Sequence, residues 1–311
     1  PHLLYRAKRS IVMWHEHTWG AWCSISDPDS HFTTDQWRVK KAFADSAGWY
    51  VEQLERSLAP ASPNAHDHVR IRKDRLPPRE TFSWLPTTRL AQVNGLDPDS
   101  VSLVHLDCVE DLEHGTWEDR KVGHGGVNGD KVDLFTELRK DTMHYRFVLQ
   151  KSSNRNKESL HLALPFNIPN ATVRIGISDT CVTPESGRIP GSNNDFFCAQ
   201  RWIDVSNDSM GVTIVCPQGA LWEVGDMVDE RKVNPGRGTN AEKYKAWKTE
   251  AHSSSTLYLY ALNNYWHTNF KADQEGPITF DIYLKMHGPF KLEEARRFGL
   301  EMTRPLITWW K

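Results

Sequence analysis

No stretch of this sequence approaches the roughly 20 consecutive apolar residues that a membrane-spanning helix needs, which predicts a chain without a membrane partner. Its 38 Lys and Arg are balanced by 40 Asp and Glu to a formal charge of −2, and the basic residues form no long run. Because phosphate binding needs clustered cations, this balance excludes a nucleic-acid partner held by a broad basic field. An initiator Met is missing, and Pro1 to Arg9 contain no apolar signal segment. We therefore expect a chain that begins within a longer protein, with the cytoplasm as the favoured compartment.

Cysteine is scarce and widely spaced, and no Cys-x-x-Cys pair is present. This pattern indicates neither a disulfide scaffold nor a structural zinc site, so we expect most of the five thiols to be small buried side chains: Cys23, Cys108, Cys181, Cys198 and Cys216. The sequence also lacks the Gly-x-Ser-x-Gly elbow of serine hydrolases and the His-Glu-x-x-His pair of zincins. The glycine-rich run 123–129 has no Gly-Lys-Ser/Thr ending, which favours a flexible turn over a phosphate loop.

Side chains that can bind a metal ion or a sugar are grouped in the stretch from Trp14 to Trp22. Two imidazoles, one carboxylate and three indoles fall within nine residues. Imidazole is a common zinc ligand, a carboxylate accepts hydrogen bonds from hydroxyls, and indole faces stack on sugar rings. The stretch is therefore a candidate site for a metal ion and a sugar. A lone His-x-His is a weak metal signal, so a merely structural, polar role stays open.

Two helices are predicted at the beginning of the chain. Apolar residues at helical spacing lead up to His15, and a second helix is expected after the Ser, Asp and Pro-rich loop at 24–30, with its cap at Thr33, Thr34 or Asp35. We expect this second helix, a connector over residues 31–59, to bury the stripe Val39, Phe43, Ala47, Val51, Leu54 and Leu58. Its polar side is expected to carry Arg38, Lys40, Lys41, Glu52, Glu55 and Arg56.

The hydrophobic period changes beyond a predicted linker at 59–68. Short runs with alternating apolar residues, separated by Pro, Gly and Asn turns, predict antiparallel strands with one buried face; these runs are Leu160–Leu164, Val173–Ile177, Leu257–Ala261 and Ile278–Leu284. A short helix is expected at Glu293–Phe298. The predicted fold is mainly β, with a helical N-terminal segment followed by an antiparallel β-sandwich region over residues 60–311.

The stretch around His15 resembles the end of the catalytic domain of glycoside hydrolase family 38, the α-mannosidase family, which carries a His-His-Asp-Ala-Val-Thr-Gly-Thr segment. On that segment, Trp14 replaces the first His, His15 keeps the second, Glu16 replaces the acid by its longer homologue, and Gly20 keeps the glycine. The resemblance is sharper to a bacterial branch that reads His-Glu-His-Thr-Trp-Gly-Ala and then Ser-Ile-Ser-Asp-Pro.

Two further segments are similar to the C-terminal part of that family. One is Asn263–Asn269 with the following Lys271, Asp273, Gln274 and Gly276, and the other runs from Pro190 to Asn207. Residues 60–155 resemble no segment of the family. The resemblance implies that residues 1–30 are the C-terminal edge of a catalytic α/β domain, that 31–59 belong to a helix-bundle connector, and that β-sandwich modules follow.

The resemblance also implies a chemistry and a set of site residues. It implies a retaining α-mannosidase that uses one zinc ion, with His15 as a metal ligand and an oligosaccharide or glycoside as substrate. The implied substrate contact is Glu16, and Trp19 is a further candidate. If the loop at 263–269 returns to the His15 segment, we expect Asn264, Trp266, His267 or Asn269 to close one side of the sugar pocket. The alternative is that the asparagines only satisfy the loop backbone. Retention requires two carboxylates about 5 to 5.5 Å apart. In the family, the nucleophile and the other zinc ligands precede the His15 segment, so their identity is unknown here and we expect this chain alone to be inactive.

Three functions remain open at this point. The first is the C-terminal part of a zinc-dependent glycoside hydrolase, and the second is a non-catalytic carbohydrate-binding module. The third is a structural domain, in which aromatic residues such as Trp202, Trp222, Trp247 and Trp266 are ordinary core. Homo-oligomer formation is compatible with each of them.

Overall fold

The computed structural model describes residues 1–16, 20–58, 102–108, 131–139, 141–155, 157–225, 248–263 and 269–304. These residues belong to two compact units. The helical unit contains the described residues up to 58 together with 269–274, and the β unit contains the described residues 102–263 and 275–304. The predicted linker at 59–68 and the glycine-rich run 123–129 lie outside the described residues, and the predicted domain boundaries stay predictions.

The helical unit is built from α1 (His2–His15) and α2 (His31–Leu58), which pack against each other. Small side chains, Ala7 and Ser10, form the buried face of α1, and the rings of Trp14 and Trp37 meet with their centroids 5.9 Å apart. Helix α2 begins earlier than predicted, because Ser30 accepts a hydrogen bond from the amide of Thr33 at 3.3 Å. A side-chain oxygen that satisfies the third amide of a helix is an N-cap, so Ser30 takes the role expected for Thr33, Thr34 or Asp35.

The buried face of α2 also differs from the predicted one. Val39 and Val51 are 58% and 40% exposed, whereas Lys40, expected on the polar side, is only 5% exposed. Thr33, Lys40 and Ala47 are buried at a seven-residue spacing, which places them along one seam facing α1. The prediction was wrong at this position because it counted Lys40 as a surface residue. Lys40 instead buries its long aliphatic stem and directs its ammonium group to the end of α1.

Two antiparallel sheets form the β unit, and they confirm the predicted β-rich fold class. The seven-stranded sheet has the order β2-β3-β12-β9-β8-β5-β6 and the five-stranded sheet the order β1-β4-β11-β10-β7. The strands are β1 (Ser102–Cys108), β2 (Lys131–Arg139), β3 (Thr142–Lys151), β4 (Lys157–Pro165), β5 (Thr172–Ile177), β6 (Thr180–Val182), β7 (Phe197–Cys198), β8 (Ile203–Ser206), β9 (Gly211–Val215), β10 (Leu221–Val224), β11 (Thr256–Asn263) and β12 (Gly276–His287).

The core lies between the two sheets. Alternate residues of β3, β4, β5, β11 and β12 point into one shared apolar cluster, as period-two spacing requires. Its fully buried members include Leu162 and Leu164 of β4, Ile175 of β5, Leu257 of β11 and Ile282 of β12. The alternation read from the sequence therefore identified the buried face correctly. Trp222 is only 2% exposed and belongs to this core, as the hypothesis of a structural tryptophan predicts.

A third helix, α3 (Leu292–Thr303), packs on the outer side of the seven-stranded sheet. Ala295 and Phe298 contact Trp202 and Val215, which form a second, smaller apolar cluster. The helix is longer than the predicted Glu293–Phe298. Within the described parts of the chain, no helix combines the length and the hydropathy that crossing a membrane demands.

The thiols are less uniformly buried than expected. Cys23 and Cys216 are buried, Cys181 is half-buried and Cys198 is exposed. Burial raises the pKa of the Cys216 thiol to about 12, which keeps it protonated and unreactive at neutral pH. Cys198 departs from the prediction because it alternates with the buried Phe197 on β7, so its side chain points to the opposite, exposed face.

Gly176 on β5 is required by a close contact with Trp202. A Cβ atom at this position would lie 2.5 Å from Cε2 of the indole. We expect Gly176→Ala to lower the free energy of unfolding by about 1–3 kcal/mol, the usual cost of overpacking, as measured by urea denaturation. Gly288→Ala is the control, since its Cβ would meet nothing nearer than the Ser209 carbonyl at 3.9 Å. Equal stabilities of the two variants would contradict the steric argument.

Candidate functional site

His15 is the last residue of α1, and its side chain is exposed. The next residue, Glu16, leaves the helix in an extended conformation, with φ −65° and ψ 158°. The helix therefore carries the imidazole and the carboxylate at its C-terminal end. The sequence places His15 and Glu16 together by adjacency, and the structure adds that both lie at a helix end rather than within a strand.

Glu16 is held by a lysine from the other helix. The Lys40 ammonium group donates to Oε1 of Glu16 at 2.5 Å, to the Met13 carbonyl at 2.8 Å and to the Glu16 carbonyl at 3.2 Å. The last carbonyl groups of a helix lack intrahelical partners and carry a partial negative charge. Lys40 thus neutralises both the end of α1 and the adjacent carboxylate. The sequence interpretation placed this residue on the polar side of α2, because a lysine counts as polar in a hydrophobic pattern.

The backbone of Asn269 lies against the turn that follows His15. A Cβ atom built on Gly20 would lie 2.8 Å from the Asn269 carbonyl oxygen, so only glycine permits this approach. The Ser24 hydroxyl donates to the Ala21 carbonyl and fixes the turn from the other side. Gly20 and Asn269, which are far apart in the sequence, therefore meet within the helical unit.

Four of the predicted site residues lie outside the described part of the chain: Trp19, Asn264, Trp266 and His267. His15, Glu16 and Asn269 are described, and the roles assigned to all seven residues stay predictions. Trp22, whose indole belongs to the same cluster in the sequence, is 82% exposed. An indole so exposed is free of the core and open to a ligand.

The donor set for zinc is incomplete in the described residues. Among them, no group of three or more His, Cys, Asp or Glu side chains could hold a metal ion. A catalytic zinc site requires about three protein ligands and an open position. His15 can supply one of these ligands, so the residues described here do not by themselves fit the ion.

A buried carboxylate–histidine pair lies on the outer side of the seven-stranded sheet. Asp204 is fully buried, and its Oδ2 accepts hydrogen bonds from Thr213 Oγ1 and His287 Nε2, both at 2.7 Å. His287 Nδ1 lies 2.8 Å from the Gly288 carbonyl. Both ring nitrogens face acceptors, an arrangement that favours the protonated ring over either neutral tautomer. Burial lowers the pKa of His287, but the hydrogen bond to Asp204 and the charge of Asp204 outweigh burial and raise it.

A second buried carboxylate, Asp281, lies on the same side of this sheet. Arg146 binds it through Nε at 2.5 Å and through a second guanidinium nitrogen at 2.9 Å, and His144 Nε2 lies 2.7 Å from its Oδ1. Gln218 donates to Oδ2 at 3.0 Å. Burial raises the pKa of Asp281, yet the hydrogen bonds from His144 and Arg146 and their charges lower it to about 2. This cluster is a saturated ion-pair network and is typical of structure rather than of catalysis.

The five-stranded sheet carries a further pair of this kind. His161 Nδ1 lies 2.7 Å from Glu223 Oε2, and the two side chains are 1% and 0% exposed. The ring of Tyr260 meets the imidazole edge-on at 4.7 Å. None of these pairs was identified from the sequence, because each joins residues from strands distant along the chain.

No protein-family model matches the sequence, and no curated protein matches it significantly. Solved structures do show similarity. An alpha-mannosidase from Enterococcus faecalis V583 is similar over 53% of this chain and 17% of its own, at 16% identity and a TM-score of 0.36. A protein in glycosyl hydrolase family 38 from Enterococcus faecalis has the same identity and coverage and a TM-score of 0.35.

A protein from Escherichia coli K12 described as an aldose 1-epimerase is similar over 58% of this chain and 68% of its own, at 10% identity and a TM-score of 0.31. This chain spans only 17% of the length of the first two proteins. None of the three similarities reaches a TM-score of 0.5, so the functional argument has to come from the residues themselves.

Proposed function

We propose that this chain is the C-terminal part of a zinc-dependent, retaining α-mannosidase-like glycoside hydrolase that acts on α-mannosides or related glycans. The observation that carries the proposal is the meeting of Gly20 with Asn269. The two segments that contain these residues resemble the same family independently, and they lie near opposite ends of the chain. Their contact is what a shared sugar site formed by both segments requires.

His15 has the role of a zinc ligand in this proposal. Its imidazole stands exposed at the end of α1, where further ligands can approach it from outside the described residues. In this proposal, the remaining ligands and the nucleophile come from outside the described residues.

Glu16 acts on the substrate in this proposal. An ionised carboxylate has about four lone-pair positions, so the hydrogen bond from Lys40 is compatible with one from a sugar hydroxyl. The remaining proposed contacts come from Trp19, Asn264, Trp266, His267 and Asn269. No residue of the β unit has a role in the chemistry proposed for this site.

Replacing His15 by alanine in the full-length protein is expected to abolish stoichiometric zinc binding and mannosidase activity together, because one of about three protein ligands is lost. Metal content by atomic spectroscopy and hydrolysis of an α-mannoside are the measurements. His31→Ala is the matched control, since His31 is an exposed histidine at the start of α2. Unchanged zinc content in the His15 variant would remove the metal assignment.

Zinc binding by this chain alone is a separate prediction. One imidazole cannot retain the ion, so calorimetry should detect no tight zinc binding. Glycan binding by this chain without metal, combined with the lack of any hydrolase activity in the full-length protein, would favour a carbohydrate-binding module instead.

Glu16→Gln is expected to weaken transition-state binding by about 1.5–3 kcal/mol, the scale of a hydrogen bond to a charged group, while zinc stays bound. The measurement is kcat/KM for an α-mannoside, with metal content determined on the same sample. Glu52→Gln, an exposed glutamate on α2, controls for the loss of one negative charge. If the Glu16→Gln variant lost zinc, and its kcat/KM equalled the wild-type value once zinc was restored, Glu16 would be the metal ligand and His15 the substrate contact.

A further inference from the structure

Lys40 is an ammonium group removed from water in a two-helix unit. Its side chain is 6% exposed, whereas the neighbouring Lys41 is 58% exposed and pairs with Asp45 on the surface of α2. Lysine is almost never fully buried unless it is paired. The three acceptors of Lys40 all belong to the last turn of α1 or to its cap: the carbonyls of Met13 and Glu16 and the Glu16 carboxylate.

These contacts hold the backbone at the end of α1 and the Glu16 side chain, in addition to joining the two helices. An ammonium group has three donors, and the three acceptors use all of them. The two carbonyl groups lie on either side of His15 along the chain, so Lys40 sets the path by which the backbone leaves the helix at this residue. The third contact restricts the Glu16 carboxylate, which would otherwise rotate about three side-chain bonds.

Packing alone does not require a lysine at this position. An apolar side chain of similar volume stabilises a seam between two helices without the cost of desolvating a charge. The directed hydrogen bonds to Glu16 are what an apolar residue could not provide.

We propose that Lys40 is a positioning residue of the sugar site, which holds the Glu16 carboxylate and the backbone around His15 in the geometry that binds substrate. This inference rests on the function proposed above. It assigns to α2 a role in the site beyond that of a connector between domains.

A double-mutant cycle in the full-length protein tests this role. Lys40→Met keeps an unbranched side chain that is one heavy atom shorter and removes the ammonium group, and it is combined with Glu16→Gln. If Lys40 acts through Glu16, Lys40→Met should lower kcat/KM about tenfold in the otherwise wild-type protein and less than about twofold in the Glu16→Gln variant, because residues in one network are not additive. Lys41→Met should leave kcat/KM unchanged.

A second readout does not depend on activity. Hydrogen exchange of the amides at the end of α1 and in its cap should become faster in Lys40→Met and remain unchanged in Lys41→Met, with the rest of α1 unaffected. If Lys40→Met does not fold, as judged by circular dichroism, Lys40→Arg replaces it in the same cycle. Arginine retains the charge but changes the position of the donors, so the same comparison between the wild-type and Glu16→Gln backgrounds applies.

The possible results separate this inference from the proposed function. An equal loss of kcat/KM in both backgrounds, or no loss in either, overturns the positioning role. If Glu16→Gln lowers kcat/KM but Lys40→Met does not, the inference about Lys40 fails while the proposed function stands. If Glu16→Gln itself changes nothing, the proposed substrate contact fails, and the role of Lys40 fails with it.

Discussion

Replacing Asp204 by alanine should lower the free energy of unfolding of the β unit by about 3–5 kcal/mol, the cost of removing one partner from a buried ion pair. Asp204 is fully buried on β8. Ser206 and Thr213 would lose the acceptor of their hydroxyl groups, and His287 would lose its counter-ion. Arg174, whose guanidinium lies 3.9 Å from Oδ1, would lose a second, weaker attraction. Urea denaturation followed by tryptophan fluorescence measures the loss.

The pH dependence of this loss has a definite sign. Because the folded-state pKa of His287 is raised above its ordinary value of 6.5, the Asp204–His287 contact contributes fully below about pH 6.5, and its contribution is lost as the pH rises through the folded pKa. The gap between wild type and Asp204→Ala should therefore be larger at pH 6 than at pH 9. Asp208→Ala, in the exposed turn between β8 and β9, is the control. Equal stabilities of the two variants would show that the buried network contributes nothing.

Asp281→Asn should also destabilise the β unit by about 3–5 kcal/mol at neutral pH, since Arg146 is only 13% exposed and would lose its carboxylate. The folded-state pKa of Asp281 is about 2, against an ordinary value of 3.8. A lowered pKa gives stability that is present above about pH 4 and lost as the pH falls towards 2. The shift corresponds to about 2 kcal/mol at 1.36 kcal/mol per pH unit. As the pH falls from about 4 towards 2, the free energy of unfolding of wild type should decrease by this amount more than that of Asp281→Asn.

Asp179→Asn is the matched control for this prediction. Asp179 also pairs with an arginine, Arg296, but its side chain is 93% exposed. Exposed ion pairs contribute about 0–1 kcal/mol, so this variant should resemble wild type at both ends of the pH range. The measurement is a series of urea denaturations between pH 7 and pH 2. Parallel pH profiles for wild type and Asp281→Asn would contradict the argument.

The sandwich could be predicted because its signal is local. Leu160, Leu162 and Leu164 alternate within five residues, and one buried face is enough to produce that pattern. The pattern identifies strands and their buried faces, but it does not determine their order. The neighbours of β12 are β3 and β9, which lie far from it in sequence, and no periodicity within a strand encodes such partners.

The candidate site could be predicted only in part, for a related reason. His15 and Glu16 are adjacent, so their chemistry is visible in a short motif. Lys40 counts as polar in any hydrophobic pattern, and its burial depends on the end of α1 lying within reach of its side chain. Asp204 and His287 are 83 residues apart in the sequence, and only the assembled sheet brings Oδ2 of Asp204 within 2.7 Å of Nε2 of His287.

The position of the last two strands has a consequence for biosynthesis. In the described sheets, β11 joins β4 to β10, and β12 joins β3 to β9. A nascent chain that has emerged only as far as residue 255 therefore holds partial sheets whose central edges are unpaired. Unpaired strand edges of this kind promote misassembly. Sheets that depend on pairing between strands distant in the sequence also form slowly. We expect the β unit to acquire its cooperative stability only after β12 has left the ribosome, which makes this unit a natural client for chaperones that shield strand edges during translation.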